Sequence, residues 1–230
     1  MGCGTKTAWG WHAVLLLALV VPAGCGVPYR VSFPLGGRAL DDVWTRPGGN
    51  LAGGLESGIG LGGVNLTFQP GRLRIGPEIL VQYSTAGDGE ETAFTSEGFV
   101  ELYEYQVGAV MSFIALDGKL HSFAGLGLAD ASVKEDYTLG QDWAAEFFRH
   151  TGEATGYYLH AGVLWCPAGG FHLGFDVRYV GGTQMQTTGR RSYWDTGSVP
   201  YQYLTESIAS ESRDADGVQY SVLVGWHQNW

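Results

Sequence analysis

The chain has 230 residues, enough for one domain of good size, with 37 glycines, 13% aromatic residues and only 16% charged ones. Helical proteins use far less Gly and more Leu, Lys and Glu, and past the N-terminus no run approaches the ~20 apolar residues of a membrane helix. A formal charge of −10 argues against a nucleic-acid partner, which needs a basic surface.

Residues 1–24 read as an export signal: Lys6 gives a positive start, and Ala13 to Val21 form an apolar core too short to span a bilayer. Val21-Pro22-Ala23 offers small residues for signal-peptidase cleavage. The overlapping Pro22-Ala23-Gly24-Cys25 resembles a bacterial lipobox, which would make Cys25 an acylated first residue, although Pro22 stands where that pattern wants Leu. The remaining 25–230 read as one domain. Cys3, Cys25 and Cys166 form no paired framework.

The alternation over Val27–Phe33 predicts a short first strand, with Tyr29, Val31 and Phe33 on one face. Leu35–Asn50 reads as a loop, from its Asp, Pro and Gly content. Leu55–Phe68 predicts a strand whose apolar phase shifts at Gly62-Gly63, a place for a bulge. Leu73–Tyr83 follows after the turn Gln69-Pro70-Gly71, with Pro77 on its apolar face. Thr85–Gly98 reads as an acidic loop, and Phe99–Phe113 as a long strand. Asp117-Gly118 is a type I′ turn signal leading to Leu120–Ala131, of ambiguous phase. Asp130–Ala154 reads as a polar loop.

Gly156–Gly181 is the clearest stretch. Tyr157, Leu159, Ala161, Val163 and Trp165 form one apolar face, and Phe171, Leu173, Phe175, Val177 and Tyr179 continue it after Cys166-Pro167-Ala168-Gly169-Gly170. Gly, His, Asp and Arg occupy the other face. Gly182–Gly217 reads as the longest loop, and Val218–Trp230 as a last strand.

Aromatic rings at both ends of an apolar stripe suit lipid, because they rest at the two headgroup levels. Connections near 70, 117 and 167 are short, and those near 40, 90, 140 and 200 are long. That alternation, with about eight strands, predicts an all-β, eight-stranded, antiparallel up-and-down transmembrane barrel. Phe68, Phe113, Trp165, Phe171 and Trp230 form the expected girdle near the short turns. Tyr83, Tyr103, Tyr157, Tyr179 and Tyr220 form the one near the long loops.

The inward set is then Arg74, Glu78, Gln82, Glu104, Gln106, His160, His172, Asp176 and Arg178. An eight-stranded lumen barely holds side chains, so charges there need partners. Glu78, His160, Asp176 and Arg178 stand at similar heights and are expected to form a structural plug. A proton or ion path is the competing role. His121-Ser122, and His150 with Glu153, carry catalytic residue types without a defensible arrangement, so no catalytic residue, metal or cofactor is expected. Gly58, Gly60 and Gly63 match G-x-G-x-x-G, but without a following helix they read as small residues in a curved strand. Asp88, Glu90, Glu91, Asp214 and Asp216 lack calcium-loop spacing and read as a solvated face.

Gly76-Pro77-Glu78-Ile79, Gly125-Leu126-Gly127, Asp176-Val177-Arg178-Tyr179 and the terminal Trp230 together resemble the OmpA/OmpX and opacity-type outer-membrane barrels over residues 27–230. The resemblance implies outer-membrane lipid as surroundings, the barrel-assembly machinery as reader of the last strand, and an adhesion or envelope role. Gln228 departs from it, since an apolar residue is expected there, and the membrane strand is then expected to stop at Trp226. A narrow pore remains an alternative. So does a soluble lipocalin-like barrel, with Val163 and Phe175 facing in around an apolar ligand.

Overall fold

The structure, a computed structural model, describes residues 29–40, 45–46, 49–50, 58–60, 63–68, 75–88, 95–115, 119–139, 145–167, 170–197 and 199–228. The export segment 1–24, Cys25, Arg74, Trp230 and the turns at 69–71 and 117–118 lie outside the described residues.

Strand β1 (Tyr29–Leu40) is followed by two short pieces, β2 (Thr45–Arg46) and β3 (Gly49–Asn50), which pair with each other. The next wall position is shared by β4 (Gly58–Gly60) and β5 (Val64–Phe68). Then come β6 (Ile75–Asp88), β7 (Thr95–Ala115), β8 (Leu120–Leu139), β9 (Glu146–Trp165) and β10 (Phe171–Gly181). Four shorter strands, β11 (Gln184–Gln186), β12 (Thr188–Asp195), β13 (Gln202–Ile208) and β14 (Ser212–Asp214), precede β15 (Gly217–Gln228). Each wall strand pairs antiparallel with its sequence neighbour, and β15 closes the ring by pairing with both β10 and β1. With β4 and β5 as one stave, the ring has eight staves and no open edge.

The greasy faces look outward. Val107, Leu126, Leu128, Leu159, Val163, Phe175 and Val222 are all exposed, whereas Glu78, His172 and Arg178 are at most 1% exposed. That orientation overturns the lipocalin-like alternative, which needs Val163 and Phe175 inside. The ambiguous phase of β8 resolves the same way: Phe123 is buried in the lumen while Leu126 and Leu128 face out. In the same strand Gly127 is required by contact, since a Cβ there would stand 2.3 Å from the Val107 carbonyl oxygen.

The register shifts by one residue between Gly60 and Asn65, the span that holds the bulge expected from the sequence. Gly36 pairs with Gly60 and Ser32 with Asn65, so four steps along β1 match five along its partner. The described β5–β6 ladder ends at Thr67 and Glu78, one residue before Pro77, which therefore interrupts no pairing on that side.

Several boundaries differ from the sequence reading. β1 runs on through Leu40 rather than ending at Phe33, paired with β15 throughout, and Gly36 lets the two backbones approach closely there. β15 continues past Trp226 to Gln228, paired with Tyr29. The stretches 85–98, 130–154 and 182–217, read as loops, are largely strand. β6 and β7 pair up to Asp88 and Gly98, and β8 and β9 up to Leu139 and Glu146. Within 130–139 and 146–154 successive residues face water and a small buried core in turn, and many are polar, so no apolar stripe marked them.

Candidate functional site

The lumen is filled in layers. At the short-turn end His172 Nε2 lies 2.9 Å from Ser32 Oγ, and the Arg30 guanidinium rests 4.9 Å from the Phe123 ring centre. Val110, Phe123, Leu164, Cys166 and Leu223 pack beside them. The middle layer brings together the four residues singled out from sequence. Arg178 Nη2 donates to Glu78 Oε1 at 2.9 Å, and Arg178 Nε lies 3.3 Å from Asp176 Oδ2. His160 stands between the same carboxylates, with Nδ1 2.9 Å from Asp176 and Nε2 3.2 Å from Glu78. Arg178 also donates to Gln106, and its flat face covers the Tyr158 ring at 4.8 Å. Above them Arg38 pairs with Glu104 at 2.5 Å, and Gln82 and Gln219 exchange hydrogen bonds at 2.8 and 2.9 Å. Arg38 lies in the stretch read as a loop, so its part in this network was missed.

The tyrosine belt is arranged in pairs. The Tyr83 and Tyr103 rings lie 4.7 Å apart, Tyr157 and Tyr179 lie 6.3 Å apart, and Tyr220 is exposed on β15 opposite Val177. At the opposite end Phe171 meets Trp226 edge-on at 5.8 Å, while Phe113 and Trp165 are exposed.

Beyond the tyrosines the barrel mouth is corked. β11 and β14 pair across it, and Met185 packs with Val100, Leu102, Ala131, Val133 and Ala215. Asp216 anchors this strap: it accepts from the backbone nitrogens of Gly182 at 2.8 Å and Thr183 at 2.6 Å, and from Thr183 Oγ1 at 2.7 Å. Burial alone would raise its pKa, but those donors hold it below the ordinary aspartate value. Asp216 is therefore a clamp rather than part of a solvated face. Asp88 ends β6, and Glu90 and Glu91 lie outside the described residues.

β9 changes partner as it leaves the barrel. Its lower half, Tyr157–Trp165, pairs with β10, while Phe147–Thr151 pair with β12. β8, β9, β12 and β13 thus form a projecting sheet, with a groove of about 590 Å³ on its outer face. Asp136, Thr138, Phe147, Arg149, Arg190, Ser192, Tyr203 and Thr205 line it. Arg149 donates to both oxygens of Asp136, at 2.6 and 3.0 Å. Burial would raise Asp136, but Arg149 and Lys134 keep it below the usual aspartate range. The sheet's other face carries Arg191, clamped by Glu146 and Glu206, and a Tyr137–Phe148 stack at 4.9 Å.

The candidate catalytic pairs are split by strand alternation. His121 is buried and Ser122 exposed, and likewise His150 and Glu153 point to opposite faces. Among the described residues no three His, Cys, Asp or Glu side chains are placed to share a metal ion.

A closed ring of eight staves, apolar outside and ion-paired inside, decides the architecture. The fold is that of a transmembrane β-barrel. No family model and no curated protein matches the sequence. Among solved structures, the chain resembles a major outer membrane protein from Thermus thermophilus, with a TM-score of 0.58 at 12% identity over 88% of this chain and 99% of that one. It also resembles Ail, the attachment invasion locus protein of Yersinia pestis, in complex with the heparin analogue sucrose octasulfate. There the TM-score is 0.50 at 12% identity, over 88% of this chain and 99% of that one. At such identity the likeness concerns the fold.

Proposed function

We propose that this protein is a small bacterial outer-membrane barrel of the OmpA/OmpX and opacity type, whose task is recognition at the cell surface rather than transport or catalysis. The observation that carries this reading is the contrast between its two halves. The lumen is stoppered by buried ion pairs and by the Met185 strap, whereas the wall strands run on into water and form a grooved sheet. From Tyr157 to Phe147 the chain climbs ten residues, ~33 Å of strand, or ~25 Å along the barrel axis at the usual tilt of ~40°. A membrane anchor alone has no use for that extension.

In this proposal the segment 1–24 directs export, outer-membrane lipid surrounds the belt, and the assembly machinery reads β15. Adhesion is the role best suited to a rigid platform held clear of the lipid surface. The test replaces residues 188–208 by a short Gly-Ser turn. A heat-modifiability gel should show the barrel still folded, while binding of expressing cells to their target surface should fall. Unchanged binding by a folded, surface-displayed variant would overturn the proposal. Planar-bilayer recordings of the intact protein should show no conductance steps, and regular steps would return the pore reading.

A further inference from the structure

We infer that the groove on the outer face of the projecting sheet is a saccharide site, taking one or two sugar rings that carry a single anionic group. The inference rests on the surface-recognition reading above and names the ligand class for it.

The argument starts from two consecutive arginines. Alternation along β12 sends Arg190 and Arg191 to opposite faces of the sheet. Arg191 is fully engaged, gripped by Glu146 and Glu206 and laid over the Tyr193 ring at 4.6 Å. Arg190 is exposed, and no carboxylate pairs with it among the described residues. Its cross-strand neighbours are Arg149 on one side and Ser207 on the other. Arg149 already spends its charge on Asp136, so one net positive charge remains in the groove. Like charges on directly opposed positions destabilise a sheet. An anion seated between them relieves that cost, and a guanidinium offers two parallel donors to it.

The rest of the lining selects what carries the anion. Phe147 and Tyr203 are each about half exposed, at 48% and 50%, so each leaves ring surface open, the Tyr203 ring also meeting Trp194 at 5.3 Å in a T-shaped contact. Such surface suits the C–H side of a pyranose. Thr138, Ser192 and Thr205 supply hydroxyls that both donate and accept, as sugar hydroxyls require. Ser192 Oγ and Thr205 Oγ1 lie 3.0 Å apart, a matched pair across the β12–β13 ladder. A volume of about 590 Å³ is within the range of small-molecule pockets, and too small for a protein side.

Two sources share this chemistry: carboxylated sugars ending the glycans of another cell, and phosphorylated sugars of glycolipid in the protein's own outer leaflet. The test uses the full barrel in nanodiscs made from phosphatidylcholine, titrated calorimetrically with 3′-sialyllactose, glucose 1-phosphate, lactose and inorganic phosphate. Either charged sugar should bind in the millimolar range or tighter, at least tenfold better than lactose or inorganic phosphate. Preference for sialyllactose points to a foreign glycan, and preference for glucose 1-phosphate to the resident leaflet. Arg190→Ala should weaken binding tenfold or more, Arg190→Lys less, and Tyr203→Ala severalfold, with folding checked by gel mobility. No binding of either charged sugar, equal binding of lactose, or an unaffected Arg190→Ala variant would each overturn the inference. If that happens while loss of residues 188–208 still abolishes cell binding, the recognition role stands and only the ligand class falls.

Discussion

Arg178 is the side chain whose removal tests the lumen reading most directly. Its side chain is 1% exposed, and its partners are buried as well, with side-chain exposures of 0% for Glu78 and 3% for Asp176. Arg178→Met keeps most of the aliphatic bulk over Tyr158 but leaves two buried carboxylates facing each other with only His160 between them. Breaking a buried pair by deleting one partner costs about 3–5 kcal/mol, because the remaining charge cannot regain water. The Gln106 hydrogen bond is lost as well, so the upper part of that range is expected. Removing one charge of each sign, as Arg178→Met with Glu78→Gln, leaves Asp176 with His160 and the buried Arg30 as counter-charge and should return stability to within about 2 kcal/mol of the parent. Urea unfolding in lipid vesicles, followed by tryptophan fluorescence and by gel mobility, measures both. A single variant within about 1 kcal/mol of the parent, or a double variant no better than the single, would refute the claim that these groups hold one another in a dry lumen.

Three more outcomes follow from the same structure. Leu126→Arg, at a position 61% exposed to lipid, should cost about 2–4 kcal/mol in bilayers, whereas Thr138→Arg on the projecting sheet should leave barrel stability unchanged in the same unfolding assay. Gly108→Ala should fail to give a heat-modifiable band, because its Cβ would stand 2.1 Å from the Leu126 carbonyl oxygen and 2.4 Å from the Tyr158 hydroxyl. Asp136 and Asp216 both sit below their ordinary value in the folded state, so their stabilisation is present above the unfolded aspartate pKa and is lost as pH falls through the folded one. Protection of the strap amides Gly182 and Thr183, meaning their exchange relative to an unstructured chain at the same pH, should therefore stay high at neutral pH and fall below about pH 4, with Asp216→Asn showing little protection at any pH.

The barrel was legible from the chain because its membrane strands repeat with period two and put opposite chemistries on their faces. Val163 and Phe175 against His160 and Asp176 leave little choice of orientation. The lumen cluster followed from parity and height alone, since Glu78, His160, Asp176 and Arg178 all fall on the inner face at one level. The platform was not legible. Glu146–Thr155 and Thr188–Asp195 have water on one side and a thin core on the other, so neither face forms an apolar stripe. A weaker signal was present in Phe147-Phe148 and Tyr193-Trp194, aromatic and β-prone residues in the midst of polar sequence. Arg38 was missed for another reason: the glycines and prolines around it read as a turn, whereas Gly36 serves the close approach of β1 to β15.

The unbroken run of β9 also sets how the molecule bears load. Any pull on the β12–β13 hairpin is delivered to a strand that stays in register with β8 from Glu146↔Leu139 down to Trp165↔Leu120. Tension then acts along the strand, across hydrogen bonds that lie perpendicular to it, so the rungs resist sliding together instead of opening one after another. A surface tethered to the hairpin would be moored to the buried wall of the barrel itself, and the sheet would transmit the strain with little give.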